Sequence, residues 1–351
     1  MQSRAWFAVT GTMSVLLLSS LAGAQDVDVP NNLTMRNSTE TQGNILKGGV
    51  PFLHNFGTNN TFLGSKTGNM KTYGLGANTA IGAFALYRNT FGFYNTASGA
   101  EALSRNTSGS QNTATGFVAL QSNTTGDENT ATGFAALEHN TTGIDNTAIG
   151  VAALANDTTG LLNTAVGVDA LIRNTTGSNN TALGFNADVS GGNLNNATVI
   201  GAGAVVNASN KIRLGDTQVT VIEGQVPFTF TSDVNEKENF VPVDGEDVLT
   251  KIQGISLTSW NYIGHDATQL RHYGPMAQDF FAAFGDDGFG TIGTPTTINS
   301  GDLAGVTLAA VQALESRTVK QHKEMAALKA ENADLKARLE ALERKLSPMT
   351  P

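Results

Sequence analysis

One asparagine returns every 17 residues through the middle of the chain: Asn78, Asn95, Asn112, Asn129, Asn146, Asn163 and Asn180. Each opens an Asn-Thr-Ala-x-Gly tract that ends on Gly82, Gly99, Gly116, Gly133, Gly150, Gly167 or Gly184. Most units continue with Ala-Leu, as at Ala119-Leu120 and Ala136-Leu137, and close on a turn such as Asn123-Thr124-Thr125-Gly126. Imperfect copies flank the array at Asn60 and Asn196. A unit this short cannot bury its own apolar face, so a fixed short period implies a solenoid or array in which neighbours bury each other.

The Thr-Ala-Ile/Val/Leu tract is short and partly β-branched, which reads as a strand. The x-x-Ala-Leu tract fits either a second strand or one helical turn. Asn and Gly tolerate left-handed backbone and suit the corners. Recurrent Asn and Thr side chains invite hydrogen-bonded ladders. The inward residues are mostly Ala, Val, Ile and Leu, so a single thin coil is expected to bury little, and several chains packed about a common axis to bury more. The strict phase and fixed apolar slots speak against a disordered polar tract. Sequons at Asn123, Asn140 and Asn174 follow from the repeat itself. The repeats, over roughly residues 60–205, resemble the head and stalk repeats of trimeric surface adhesins and phage fibres.

The ends of the chain are different. Arg4, the apolar run Met13 to Leu21 and the small residues Ala22-Gly23-Ala24 form a signal-peptide pattern, with Gln25 as the expected mature start. The apolar run is short for a membrane anchor. No later stretch can span a membrane, so the mature chain is expected to be exported and soluble, or attached through a partner; a bacterial source is what the resemblance of the repeats implies. A net charge of −9 lacks the basic stripe that nucleic acid requires. The absence of cysteine excludes disulfides, thiolate metal sites and a cysteine nucleophile. The 5 histidines show no metal-ligand spacing, so no metal and no cofactor are expected.

After about residue 206 the repeats stop. Ser232-Asp233 is followed by Lys237, then by Trp260-Asn261-Tyr262, by His272, Gly274, Ala277 and Gln278, and by the run Gly305-Val306-Thr307-Leu308-Ala309-Ala310. This order, over about residues 211–346, resembles the C-terminal intramolecular chaperone of phage endosialidases and tail fibres, a self-cleaving serine peptidase family. The resemblance implies Ser232 as nucleophile, Lys237 as its base and Thr231–Ser232 as the bond cut. It gives Asp233 and His272 supporting roles. A serine hydroxyl needs a base to become a nucleophile, and a lysine serves once burial makes it neutral. Many members carry Arg-Leu where this chain has Asn235-Glu236. Glu236 and Glu238 beside Lys237 favour its charged form. Taken alone, Ser-Asp is also a common turn pair, and a lysine in a charged run usually sits in water.

Positions three and four apart from Val311 and Leu314 through Met325, Leu328, Leu335, Leu339 and Leu342 to Leu346 make a heptad seam, with Asn332 at one core position. That seam predicts a coiled coil. The polar Asn332 suits dimers or trimers, and the count of three comes from the resemblance.

The whole reads as a mainly β protein: a signal peptide (1–24), an N-terminal segment (25–59), a β-solenoid shaft (60–205), a β neck (206–231), a small α+β chaperone domain (232–310) and a coiled coil (311–346). The expected function is a secreted homotrimeric fibre or adhesin-like protein whose C-terminal module gathers the chains and cuts itself free. Its expected partners are copies of itself and a surface glycan or protein. The alternative is a non-cleaving adhesin that keeps the module as a permanent clamp.

Overall fold

The computed structural model describes residues 37–39, 42–71, 76–223, 225, 231–269 and 271–346. The signal-peptide pattern and residues 224 and 226–230 of the expected neck lie outside the described residues. Two compact units divide the chain after Gln218.

In the first unit every Asn-Thr-Ala-x-Gly tract becomes a strand, among them Thr79–Ile81, Thr96–Ser98, Thr113–Thr115, Thr130–Thr132 and Thr147–Ile149. Neighbouring strands pair in parallel with a register of one repeat, Thr113 opposite Thr130 and Ala114 opposite Ala131. The imperfect copies supply Thr61–Leu63 and Thr198–Ile200, and Ile212–Leu214 completes the ladder. An antiparallel hairpin, Ile45–Lys47 with Val50–His54, pairs with Thr61–Leu63 to make a 12-stranded sheet. A full turn of chain separates each paired strand from the next. The expected mainly β solenoid is therefore the fold.

The x-x-Ala-Leu side resolves to neither of the two forms expected. Val118 and Leu120 hold φ of 55° and 51°, with an ordinary residue between them. Successive turns close locally, as where Gln121 N donates to Val118 O. The same stretch bonds across rungs: Leu120 N donates to Ala136 O at 3.0 Å, and Val118 N to Ala100 O at 3.1 Å. A left-handed leucine costs about 1–2 kcal/mol. Full burial of its side chain returns about 1.5–3 kcal/mol, and Leu120 is completely buried. The strain is thus offset at the residue that carries it.

The corner glycine is obligatory for a different reason. At Gly116, φ is 137°, and a Cβ would stand 2.2 Å from Gly133 O. Only a residue without a side chain lets one rung sit on the next at strand spacing, about 4.8 Å.

The core departs from the expectation of a poorly buried thin coil. Ala114, Ala131, Leu120, Leu137, Asn112 and Asn123 are all 0% exposed in the single chain. The rung is narrow enough that Ala, Leu and Asn fill it. Asn112 shows how its polar members are satisfied: its N donates to Asn95 Oδ1 at 3.0 Å and its Nδ2 to Gly126 O at 2.8 Å. Thr124 Oγ1 donates to Thr141 O at 2.9 Å, one link of a threonine ladder. The sequon asparagines Asn123, Asn140 and Asn174 are buried in these ladders. Apolar side chains also remain outside. Phe117, Phe134, Val151, Val168 and Phe185 recur at one rung position and are exposed, and Phe117 stacks on Phe134 at 5.7 Å.

The second unit is small. Helix α1, Gly245–Gln253, is N-capped by Asp244, whose carboxylate accepts from Glu246 N and Asp247 N. Strands Thr258–Trp260 and His272–Gly274 form an antiparallel pair. Helix α2 is Ala277–Phe284 and helix α3 is Ser300–Leu346. Val248, Leu249, Phe280, Phe284, Ala310 and Ala313 make the core. Arg317 pairs with Glu246 beside it. Beyond Ala313, every described side chain of α3 is exposed. The helix has 47 residues, about 70 Å at 1.5 Å per residue. Among the described residues no helix is long and apolar enough to cross a membrane.

Candidate self-cleavage site

Ser232 and Lys237 are five positions apart, too far to meet along an extended strand. The intervening chain folds into a single 3-10 turn, Val234–Glu236. Asp233 starts it: its Oδ1 accepts from Asn235 N and from Asn235 Nδ2, both at 2.9 Å. Lys237 N then donates to Val234 O at 3.3 Å. A carboxylate acceptor at such a start satisfies amide donors that the turn leaves free. The result is that Lys237 Nζ donates to Ser232 Oγ at 2.7 Å.

This is the contact a serine–lysine pair needs, since the base must reach the hydroxyl proton. The residue immediately before Ser232 is Thr231, whose carbonyl the resemblance implies as the one attacked. The surroundings lack one element of the chemistry. Thr231, Ser232, Asp233 and Lys237 are all exposed in the single chain. Lysine becomes a base when water is removed from it. Neither Glu236 nor Glu238 forms an ion pair with Lys237 among the described residues.

His272 sits elsewhere in the unit. Its ring stacks on Trp260 at 4.7 Å and meets the Tyr262 ring edge-on at 5.5 Å. No hydrogen bond or ring contact joins it to Ser232 or Lys237 among the described residues. The sequence grouped the four residues; the fold joins Ser232 to Lys237 directly, places Asp233 as the cap of their turn and sets His272 in an aromatic cluster. Gly274 ends the strand beside His272, and Ala277 and Gln278 begin α2. Arg271 was not singled out by the sequence. Its Nη2 donates to Ser259 O at 2.9 Å and to Ser259 Oγ, tying the two strands together. Only the strand pairing could have shown this role.

On the shaft, an open cleft of about 230 Å³ is lined by Phe84, Tyr87, Arg88, Glu101, Ser104 and Arg105. The aromatics and paired arginines break the repeat: the positions of Phe84 and Tyr87 hold Val118 and Gln121 two rungs on.

Residues 232–289 match the family described as chaperone of endosialidase. The match begins on Ser232 itself and takes in Lys237, the paired strands and α2. This segment is thus similar to a chaperone domain of that kind, and it follows a β-solenoid shaft. Together they give the chain the make-up of a tail-fibre-like protein. No curated protein and no solved structure matches the chain.

Proposed function

We propose that the chain is an exported fibre subunit that assembles as a homotrimer through its C-terminal module and then cuts itself between Thr231 and Ser232. The observation that carries the reading is the 2.7 Å contact of Lys237 Nζ with Ser232 Oγ, inside the segment that matches the chaperone family. Lys237, made neutral by burial between chains, takes the hydroxyl proton. Ser232 Oγ attacks the Thr231 carbonyl carbon, the peptide nitrogen leaves and is protonated, and the acyl group moves from N to O. Water then hydrolyses the ester, freeing the Thr231 carboxylate and restoring the hydroxyl. Exposure of the pair in one chain supports a reaction that waits for assembly, because only a partner can supply the dry surroundings. Asp233 positions the turn. His272 orients the aromatic cluster.

The exposed heptad seam of α3, with Leu314, Leu328, Leu335, Leu339 and Leu342 each more than half exposed, supports a coiled coil that gathers the chains. Loss of the module after assembly would leave the shaft kinetically trapped. Export to a surface or secreted location rests on the signal-peptide pattern, and a bacterial source on the adhesin-like repeats. A surface ligand has its support in the aromatic and arginine cleft at Phe84, and retention of the shaft on a glycan array tests it.

Intact mass of the purified mature protein decides the main point. Wild type should give two pieces, one beginning at Ser232. Ser232→Ala should give one full-length chain, and Lys237→Ala nearly the same. A wild type that stays whole at every pH leaves the permanent clamp as the function.

A further inference from the structure

A second asparagine ladder runs inside the solenoid through Asn89, Asn106, Asn123, Asn140 and Asn174, and Asp157 stands where the period calls for another asparagine. In this ladder the Nδ2 of Asn106, Asn123, Asn140 and Asn174 each donates twice. Asn123 gives one hydrogen to Gly126 O in its own rung at 2.9 Å and the other to Asn106 Oδ1 in the rung before at 2.8 Å. Asn140 does the same with Gly143 O at 3.1 Å and Asn123 Oδ1 at 2.8 Å. The Oδ1 of Asn89, of Asn106 and of Asn123 each accepts from the following rung, so the chain of bonds continues through them.

At Asp157 it is interrupted on one side only. Asp157 Oδ1 accepts from Asn174 Nδ2 at 2.8 Å, as an asparagine would. Asp157 Oδ2 occupies the place of the amide nitrogen, and as a carboxylate oxygen it has nothing to donate. Two orphans result, Asp157 Oδ2 and Asn140 Oδ1, the two ends of the one missing link. Both residues are 0% exposed. An unpaired negative charge facing a carbonyl oxygen in a dry core is strongly unfavourable. A single hydrogen between the two oxygens would satisfy both.

We propose that Asp157 is a proton-binding site of the shaft: its carboxyl group is neutral in the folded solenoid, and Oδ2–H donates to Asn140 Oδ1 as an amide hydrogen does in the other rungs. The proton comes from solvent when the rung closes and returns to solvent when it opens. The groups packed against the carboxyl are Asn140 from the preceding rung, Asn174 from the following one and Gly160 in its own; none of them titrates. No charged side chain figures among the influences on Asp157. Burial pushes the carboxyl up to about 7, against smaller opposite effects from the Asn174 and Gly160 hydrogen bonds.

The sign follows from linkage. Between the ordinary carboxylate value near 4 and about 7, the folded state holds a proton that the unfolded state has released. The site's contribution is therefore complete below about pH 4 and is lost as pH rises through about 7. Asp188, which burial also raises, lies 3.3 Å from Arg173 and is an ion pair of another kind. Burial lowers His54, which acts in the opposite direction. Neither differs between wild type and an Asp157 variant, so their effects cancel in a comparison.

Thermal unfolding of the full chain, with Ser232→Ala as common background, tests the site. Asp157→Asn should melt with wild type at about pH 4 and several degrees above it at about pH 8, the gap opening through the window set by linkage. Glu138→Gln removes the same charge elsewhere and should show no such opening. Infrared spectra near about pH 6 should show a protonated-carboxyl C=O stretch that Asp157→Asn lacks. A gap that is the same at both pH values overturns the proposal, as does absence of that stretch. So does a wild-type melting temperature that falls on chelation, because a cation then bridges the oxygens. Failure of Asp157→Asn to fold also overturns it, since asparagine is what the ladder accepts in every neighbouring rung.

Discussion

The smallest scale at which this molecule departs from ordinary globular packing is the buried amide. Asn123 is apolar in position and polar in chemistry: it is 0% exposed and makes bonds to two rungs. Replacing it by alanine strands Asn106 Oδ1 and one hydrogen of Asn140 Nδ2. Each buried orphan costs about 1–3 kcal/mol, a large share of the 5–15 kcal/mol typical of a domain. Asn123→Ala should therefore lower the unfolding free energy by at least about 2 kcal/mol in denaturant titration, while Thr125→Ala, on an exposed neighbour, should leave it unchanged. The sequence showed that asparagine mattered, because Asn78 to Asn180 keep phase. It did not show why: an Asn at a turn and an Asn in a core ladder read alike in one dimension. The same limit held at Ser232. The spacing to Lys237 was legible, the 3-10 turn that turns spacing into contact was not, and both side chains are exposed in the single chain, so the burial that the proposed chemistry needs would have to come from a partner.

At the scale of the element, the repeat unit is one rung of 17 residues, and its phase is set on both sides at once. The strand side was legible from Thr-Ala-Ile and its relatives. The opposite side was not, because its backbone alternates left-handed and right-handed residues, a conformation that no side-chain periodicity encodes. Val118 and Leu120 adopt it because bonds to the rungs before and after reward it. Removal of one whole unit, Asn129 to Asp145, brings Asn146 onto Asn112 with every ladder in register. That deletion should fold and shorten the shaft by about 5 Å, one strand spacing, measurable by small-angle scattering. Removal of nine residues faces Ala against Asn and glycine corners against side chains, and should leave the chain insoluble. Equal tolerance of both deletions would contradict a rung-by-rung core.

For the whole molecule, the apolar surface left over in one chain points to assembly. The heptad from Val311 was legible in sequence, and the structure uses only the start of α3 for its own domain core, through Ala310 and Ala313. The seam residues lie outside that core. Leu335→Asp together with Leu342→Asp puts charge into the proposed seam, where desolvation is costly. Sedimentation should then give monomer or aggregate in place of trimer, and uncleaved chain with it. An unchanged trimer would take the coil out of assembly.

The hairpin at the start of the shaft gives the molecule a direction. A stack of parallel rungs offers an unpaired strand at each end, and identical rungs could in principle join end to end without limit. Val50–His54 lies antiparallel on Thr61–Leu63, and its outer partner Ile45–Lys47 is broken in register between Ile45 and Leu46. A parallel strand from another shaft finds no matching template there. At the far end Ile212–Leu214 keeps the parallel sense of the ladder. Among the described residues the two ends of the ladder are thus unlike, antiparallel at the hairpin and parallel at Ile212–Leu214, and a strand added in the ladder's own parallel sense meets a matching partner only at the second.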